Sequence, residues 1–144
     1  MKNPTNSYQA YYKTNVQTAD QLSLIIMLYD GLIRFMKKAI VKIEQGEVEE
    51  AHNYLVRAKE IISELVSTLK VEAGGEIANN LKDLYLYSFK KIVEANLKKD
   101  PEMIKEVIQV MDNLRQGWVQ MKAEQNRQKQ IQPAQHQKKL RVQG

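Results

Sequence analysis

Apolar residues return every third or fourth position in four separate stretches of this chain, and that spacing restricts its fold more than any other feature. The first stretch carries Ile25, Leu28, Leu32, Phe35 or Met36, Ala39 and Ile43. The second carries Val48, Ala51, Leu55, Ala58, Ile62, Leu65 and Leu69, widened by Tyr54, Ile61 and Val66. The third runs through Ile77, Leu81, Leu84, Tyr85, Phe89, Ile92 and Val93 to about Leu97, and the fourth through Ile104, Val107, Met111, Leu114, Trp118 and Met121. A helix places such residues on one side, so each stretch is an amphipathic helix that needs another helix to cover its stripe. No stretch alternates in the period of two that marks a strand.

Punctuation between the stripes agrees with this reading. Thr18-Ala19-Asp20-Gln21 has the form of a capping box, in which Thr18 accepts an early amide and Gln21 reaches back. Gly46 supplies a stop, Gly74-Gly75 ends the second region, and Asp100-Pro101-Glu102 starts the fourth helix with a cap, a pre-set φ and a charge facing the helix dipole. Asp30-Gly31 taken alone is a turn signal. The apolar phase nevertheless continues unshifted from Ile25 and Leu28 to Leu32 and Phe35, which predicts one uninterrupted helix. Gly31 inside it costs about 1 kcal/mol relative to Ala, so a close approach by another helix or a ligand is expected there.

Short connections between four such helices imply an all-α, antiparallel four-helix bundle over residues 18–121. Leu28, Leu65, Leu84 and Trp118 are expected in its core. Residues 1–17 precede the bundle as a cap segment, and residues 122–144 form a basic, glutamine-rich flexible tail, expected to be frayed helix and then disordered. At 144 residues the chain is long enough to bury a core as one domain without disulfides or a metal.

The net charge of +5 suggests nucleic acid at first sight, but residues 122–144 carry six basic side chains and one acidic, which accounts for all of it. The body is neutral overall, so no basic groove across the fold is expected, nor nucleic acid as a partner. The tail itself reads as a solubilising end in preference to a nucleic-acid arm or a membrane-surface contact. With no cysteine, no apolar leader and no apolar run longer than residues 24–29, the chain is expected to be cytoplasmic and not to insert in a membrane.

Reactive groups are scarce. His136 lies in the tail, which leaves His52 as the one folded-state imidazole, and no Ser-His-Asp arrangement can be assembled around it. Glu49 and His52 form a single Glu-x-x-His, whereas di-iron bundles use two copies and further inward glutamates. Neither a GxxxxGK[ST] nor a GxGxxG phosphate loop is present. The expectation is a binding protein, not an enzyme, with no cofactor and no metal.

Tyr8, Tyr11 and Tyr12, with Val16, stand apart from the long stripes and among polar neighbours. Three aromatics within five residues need a surface to cover, either as a permanent staple or as a movable cover.

The ordered set Tyr8-x-x-Tyr11, Val16-x-Thr18-Ala19, Leu22 and Met27-Leu28-Tyr29-Asp30-Gly31 resembles the start of the flagellar secretion chaperones, the FliS family. Arg57-Ala58-Lys59-x-Ile61-Ile62-x-Glu64-Leu65 is similar to that family's second helix, and Gly74-Gly75-Glu76-Ile77-Ala78-x-Asn80-Leu81-x-x-Leu84-Tyr85 to its junction and third. Glu94-Ala95-Asn96-Leu97 and Leu114-Arg115-x-x-Trp118 continue the series. Two positions depart from it: members often carry Ala where this chain has Gly117, and Tyr12 enlarges the usual N-terminal pair.

The resemblance implies a cytoplasmic export chaperone that binds the disordered C-terminal segment of flagellin, prevents premature polymerisation, and delivers it to the flagellar type III export gate. Its implied partners are flagellin and the cytoplasmic domain of an export-gate membrane protein, with flagellar regulatory proteins left open. It also implies that the segment with Tyr8, Tyr11, Tyr12 and Val16 covers the flagellin groove, and that the positions matching Tyr8 and Tyr11 help dock the loaded chaperone on the gate. A generic helical adaptor for a different helical client is the alternative function.

Overall fold

The computed structural model describes residues 21–69 and 75–143, with side chains described as far as Ile131. Four helices follow in order: α1 Gln21–Glu44, α2 Val48–Thr68, α3 Gly75–Lys98 and α4 Pro101–Gln143. No strand occurs among the described residues. Each helix packs on its neighbours around a ring, α1 on α2 and α4, and α3 on α2 and α4. Gly31 lies opposite Ile61 and Phe35 opposite Tyr54, so α1 and α2 run antiparallel. His52 with Asn96 and Lys59 with Phe89 show the same for α2 and α3. The bundle expected from the stripes is the bundle that forms.

Where α1 meets α2, Gly46 takes φ +76, its amide donates to the Ile43 carbonyl at 3.0 Å, and the Glu47 amide donates to the Lys42 carbonyl at 2.8 Å. This is a Schellman ending, which satisfies the last carbonyls of α1 and needs a residue tolerant of the left-handed region. The turn between α3 and α4 uses Lys99 in that role, at φ 52. A side chain there costs roughly 1–2 kcal/mol. The Lys99 ammonium gives back part of that by donating to the carbonyl and side-chain oxygens of Asn96, both at 2.6 Å. The Asp100 amide closes on the Ala95 carbonyl at 3.0 Å, and Asp100 Oδ1 accepts the Glu102 amide at 2.9 Å as the cap of α4. Asp100→Ala is expected to cost about 0.5–2 kcal/mol, read as a lower denaturant midpoint with an unchanged slope.

The expected core positions mostly hold. Leu32, Met36, Leu55, Ala58, Leu65, Ile92, Ile104 and Met111 are fully buried, and Leu28 nearly so. Gly31 is packed inside α1 with Ile61 Cδ1 3.3 Å from where a Cβ would stand, the close approach its presence predicted. Four stripe positions are corrected. Val48, Ile77, Leu84 and Met121 lie in the solvent, Ile77 at 71% and Leu84 at 37% exposure. Val48 is the first residue of α2, where no facing turn covers it. Ile77 and Leu84 precede Tyr85, the first buried residue of α3, and Met121 follows Met111, the last buried residue of α4. At that end the stripes outrun the described helical surface that could cover them. Trp118, also assigned to the core, is partly buried and packs on its edge.

Helix α4 continues along the backbone to Gln143, well past the end of the apolar stripe. Residues 122–131 are mostly Gln, Lys, Arg, Glu and Asn, largely strong helix formers, and Arg127 pairs with Glu124 one turn away at 2.6 Å. Beyond Met121 this helix is held by local preference more than by packing.

Candidate functional site

The sequence-derived site residues Tyr8, Tyr11, Tyr12 and Val16 lie outside the described residues, as do Thr18 to Asp20 of the capping box. What the structure describes is the end of the bundle at which that segment joins the chain. Because α1 and α3 both run antiparallel to α2, they start at the same end, α1 at Gln21 and α3 at Gly75. Lys91 of α3 pairs with Glu106 of α4 at 2.7 Å. The antiparallel register therefore sets the first half of α3 beside the part of α4 that follows Met111.

That end is rich in apolar side chains without cover. On α3, Ile77 and Leu84 are exposed and Leu81 packs on the edge of the core; on α4, Leu114 and Trp118 pack on the edge and Val119 and Met121 are exposed. Ile77, Leu81 and Leu84 follow at intervals of four and three, so they share one face of α3. Exposed Leu86 and Tyr87 extend the apolar surface around the same helix. Monomeric proteins rarely leave such a concentration of large apolar side chains in water without a partner for it.

Beneath it lies a polar knot inside the core. The hydroxyls of Tyr29 on α1 and Tyr85 on α3 are 2.5 Å apart, and their rings sit 6.3 Å apart at 55°. These two helices do not touch through their backbones. The pair thus bridges the diagonal of the bundle, and the indole of Trp118 on α4 lies near enough to both phenols to lower their pKa. Burial pushes both phenols above their ordinary pKa, with the paired hydroxyls and Trp118 modifying that rise. They are neutral at physiological pH and serve as donors and acceptors, not as bases. The sequence marked Tyr85 and Trp118 only as stripe residues. Their polar atoms were the available clue, since a buried Tyr or Trp needs a hydrogen-bond partner.

Of the Glu49-x-x-His52 pair, the imidazole is engaged by α3. His52 Nδ1 accepts from the Asn96 amide nitrogen at 2.9 Å, while Asn96 Oδ1 accepts from Lys99. No group of three metal-ligating side chains occurs among the described residues. Nor is any described helix long and apolar enough to cross a membrane.

Known proteins match most of this chain. Residues 4–126 match the family described as flagellar protein FliS. A flagellar secretion chaperone FliS from Campylobacter jejuni is 35% identical over 112 residues, covering 78% of this chain and 88% of that protein. The Bacillus subtilis protein of the same description is 34% identical over 115 residues, covering 80% and 85%. The Salmonella typhimurium one is 36% identical over 114 residues, covering 78% and 84%. A crystal structure of a flagellar chaperone from bacteria superposes with a TM-score of 0.70 over 85% of this chain and 99% of that one, at 17% identity, which speaks to the fold.

Proposed function

Because the chain belongs to the FliS family of flagellar secretion chaperones, we propose that it escorts flagellin in the cytoplasm, holding the disordered C-terminal segment and delivering it to the export gate. Membership makes it a chaperone and not an enzyme. The observation that carries the binding mode is the uncovered apolar surface formed by Ile77, Leu84 and Met121 around the edge of the Tyr29–Tyr85–Trp118 knot. An amphipathic helix that lays its apolar face on such a surface buries area on both partners and gains helicity as it does so. Ordering a flexible client uses on the order of 2–5 kcal/mol of the gross interaction, so the surface must be large. Masking this segment keeps flagellin from polymerising before export.

Tyr8, Tyr11, Tyr12 and Val16 come 5–13 residues before Gln21 in the sequence, and Gln21, the start of α1, stands at the end of the bundle where the apolar surface sits. An extended stretch of ten residues reaches roughly 33 Å, longer than the two and a half turns of α3, roughly 13 Å, that carry Ile77 to Tyr85. In the free protein this segment covers part of the apolar surface and is displaced or remodelled by the client, and Tyr8 and Tyr11 then help dock the loaded chaperone on the gate.

Mixing the protein with a flagellin C-terminal peptide tests the reading. A one-to-one complex with a gain in helicity by circular dichroism is expected, and no complex at about 50 μM, a free energy near −6 kcal/mol, would overturn it. Ile77→Glu places a charge on the exposed surface without touching the core, so it is expected to weaken the peptide by about tenfold or more with stability unchanged. If Tyr8→Ala and Tyr11→Ala together alter neither client affinity nor gate binding, the covering segment has no functional role.

A further inference from the structure

The neutral charge count of the body conceals a local asymmetry that the sequence reading did not anticipate. On the side of α1 turned away from the core, a cavity of about 640 Å³ runs from Asp30 to Lys42, walled by Tyr54 of α2 and by Asp112 and Arg115 of α4. Its floor is apolar, made by Ile33, Val41 and the Tyr54 ring. Its rim is basic. Arg34, Lys37 and Lys38 are all exposed, and among the described residues none of the three forms an ion pair. Arg57 of α2 lies beside them, its guanidinium 5.6 Å and 6.0 Å from the centres of the stacked Phe35 and Tyr54 rings.

We propose that this groove is a second docking surface, occupied by an acidic amphipathic helix of a partner protein other than the flagellin client. Charge complementarity selects the occupant: a helix with leucine-like residues toward Ile33, Val41 and Tyr54, and carboxylates toward Arg34, Lys37 and Lys38, satisfies floor and rim together. The groove follows α1 for twelve residues, about 18 Å, the length of three turns of a bound helix. Two features argue against a polyanion backbone. Asp30 in the wall is already paired with Arg115, but the Asp112 carboxylate beside them would repel an unbroken row of phosphates, whereas a peptide can set a donor against it. The surface is also concave, which suits a helix better than a bilayer. Since the wall residues of α3 are absent from this groove, client and partner can be held at once.

The test uses the full chain and a fluorescent eighteen-residue helix with Leu on one face and Glu on the other, alongside a scrambled version of the same composition. Binding at about 10–100 μM, falling with salt, is expected for the first and at least tenfold weaker for the second. Lys37→Glu with Lys38→Glu should reduce binding at least tenfold. A charge-matched control, Lys138→Glu with Lys139→Glu in the tail, should leave it nearly intact, and Val41→Asp should weaken it through the floor. None of these variants should change the affinity for the flagellin peptide, so failure here leaves the chaperone reading standing. Equal binding of the scrambled helix, equal loss in the tail control, competition by flagellin peptide, or capture of phosphatidylglycerol vesicles or single-stranded DNA by the groove lysines without capture of the acidic helix would each overturn the proposal.

Discussion

Tyr85→Ala is expected to destabilise the bundle by about 3–5 kcal/mol, as deletion of a large buried aromatic side chain does. The ring is almost fully buried on α3, and among the described residues no other side chain of that helix bonds across the diagonal to α1. Its removal opens a cavity and at the same time takes away the partner of the Tyr29 hydroxyl. Tyr85→Phe separates the two effects. It keeps the ring and removes one hydrogen bond, at a cost of about 0.5–1.5 kcal/mol. Urea denaturation reads both, and an Ala variant within 1 kcal/mol of the parent would contradict the account.

The same pair sets an alkaline limit. Burial raises both phenols in the folded state, so folding favours their neutral forms. Their contribution is complete below the ordinary phenol pKa of about 10 and is lost as pH rises through the raised folded values. Replacing both tyrosines by Phe should flatten that part of the stability profile.

Gly31→Leu is the second large effect, about 2 kcal/mol destabilising. A better helix former would return about 1 kcal/mol of propensity, but Ile61 Cδ1 already stands 3.3 Å from the first added carbon, and Ile61 is itself fully buried. Overpacking of this kind costs about 1–3 kcal/mol and occasionally more, because α1 and α2 must move apart along their whole contact. Gly31→Ala, by contrast, should sit near zero, the propensity gain and the contact nearly cancelling. Adding Ile61→Ala to Gly31→Leu should recover part of the loss. A coupling of 0.5 kcal/mol or less in that double-mutant cycle would show that the two residues do not share the site.

Gly31 also shows how far a sequence reaches into tertiary structure. Its unbroken apolar phase and its cost inside a helix together implied a close neighbour, and Ile61 is that neighbour. Gly46 and Asp100 were legible for the same reason, since a helix stop and a helix cap depend on the few residues next to them. Lys99 in the left-handed region was not legible, because nothing in a lysine announces that conformation. The site divides in the same way. Tyr8, Tyr11, Tyr12 and Val16 were singled out by composition and by resemblance to a family, while the surface on α3 and α4 was hidden inside stripes that looked like ordinary core.

The number of helices, their approximate limits and the inward face of each were determined by the sequence alone, because periodicity, caps and stops are properties of a chain within a few residues of itself. Which parts of those faces stay uncovered, that Tyr29 and Tyr85 meet across the diagonal, and that Arg34, Lys37, Lys38 and Arg57 gather on one side of an otherwise neutral body were decided by the tertiary structure. Each depends on where a second helix ends or passes, and that is a relation between distant residues which no local spacing encodes.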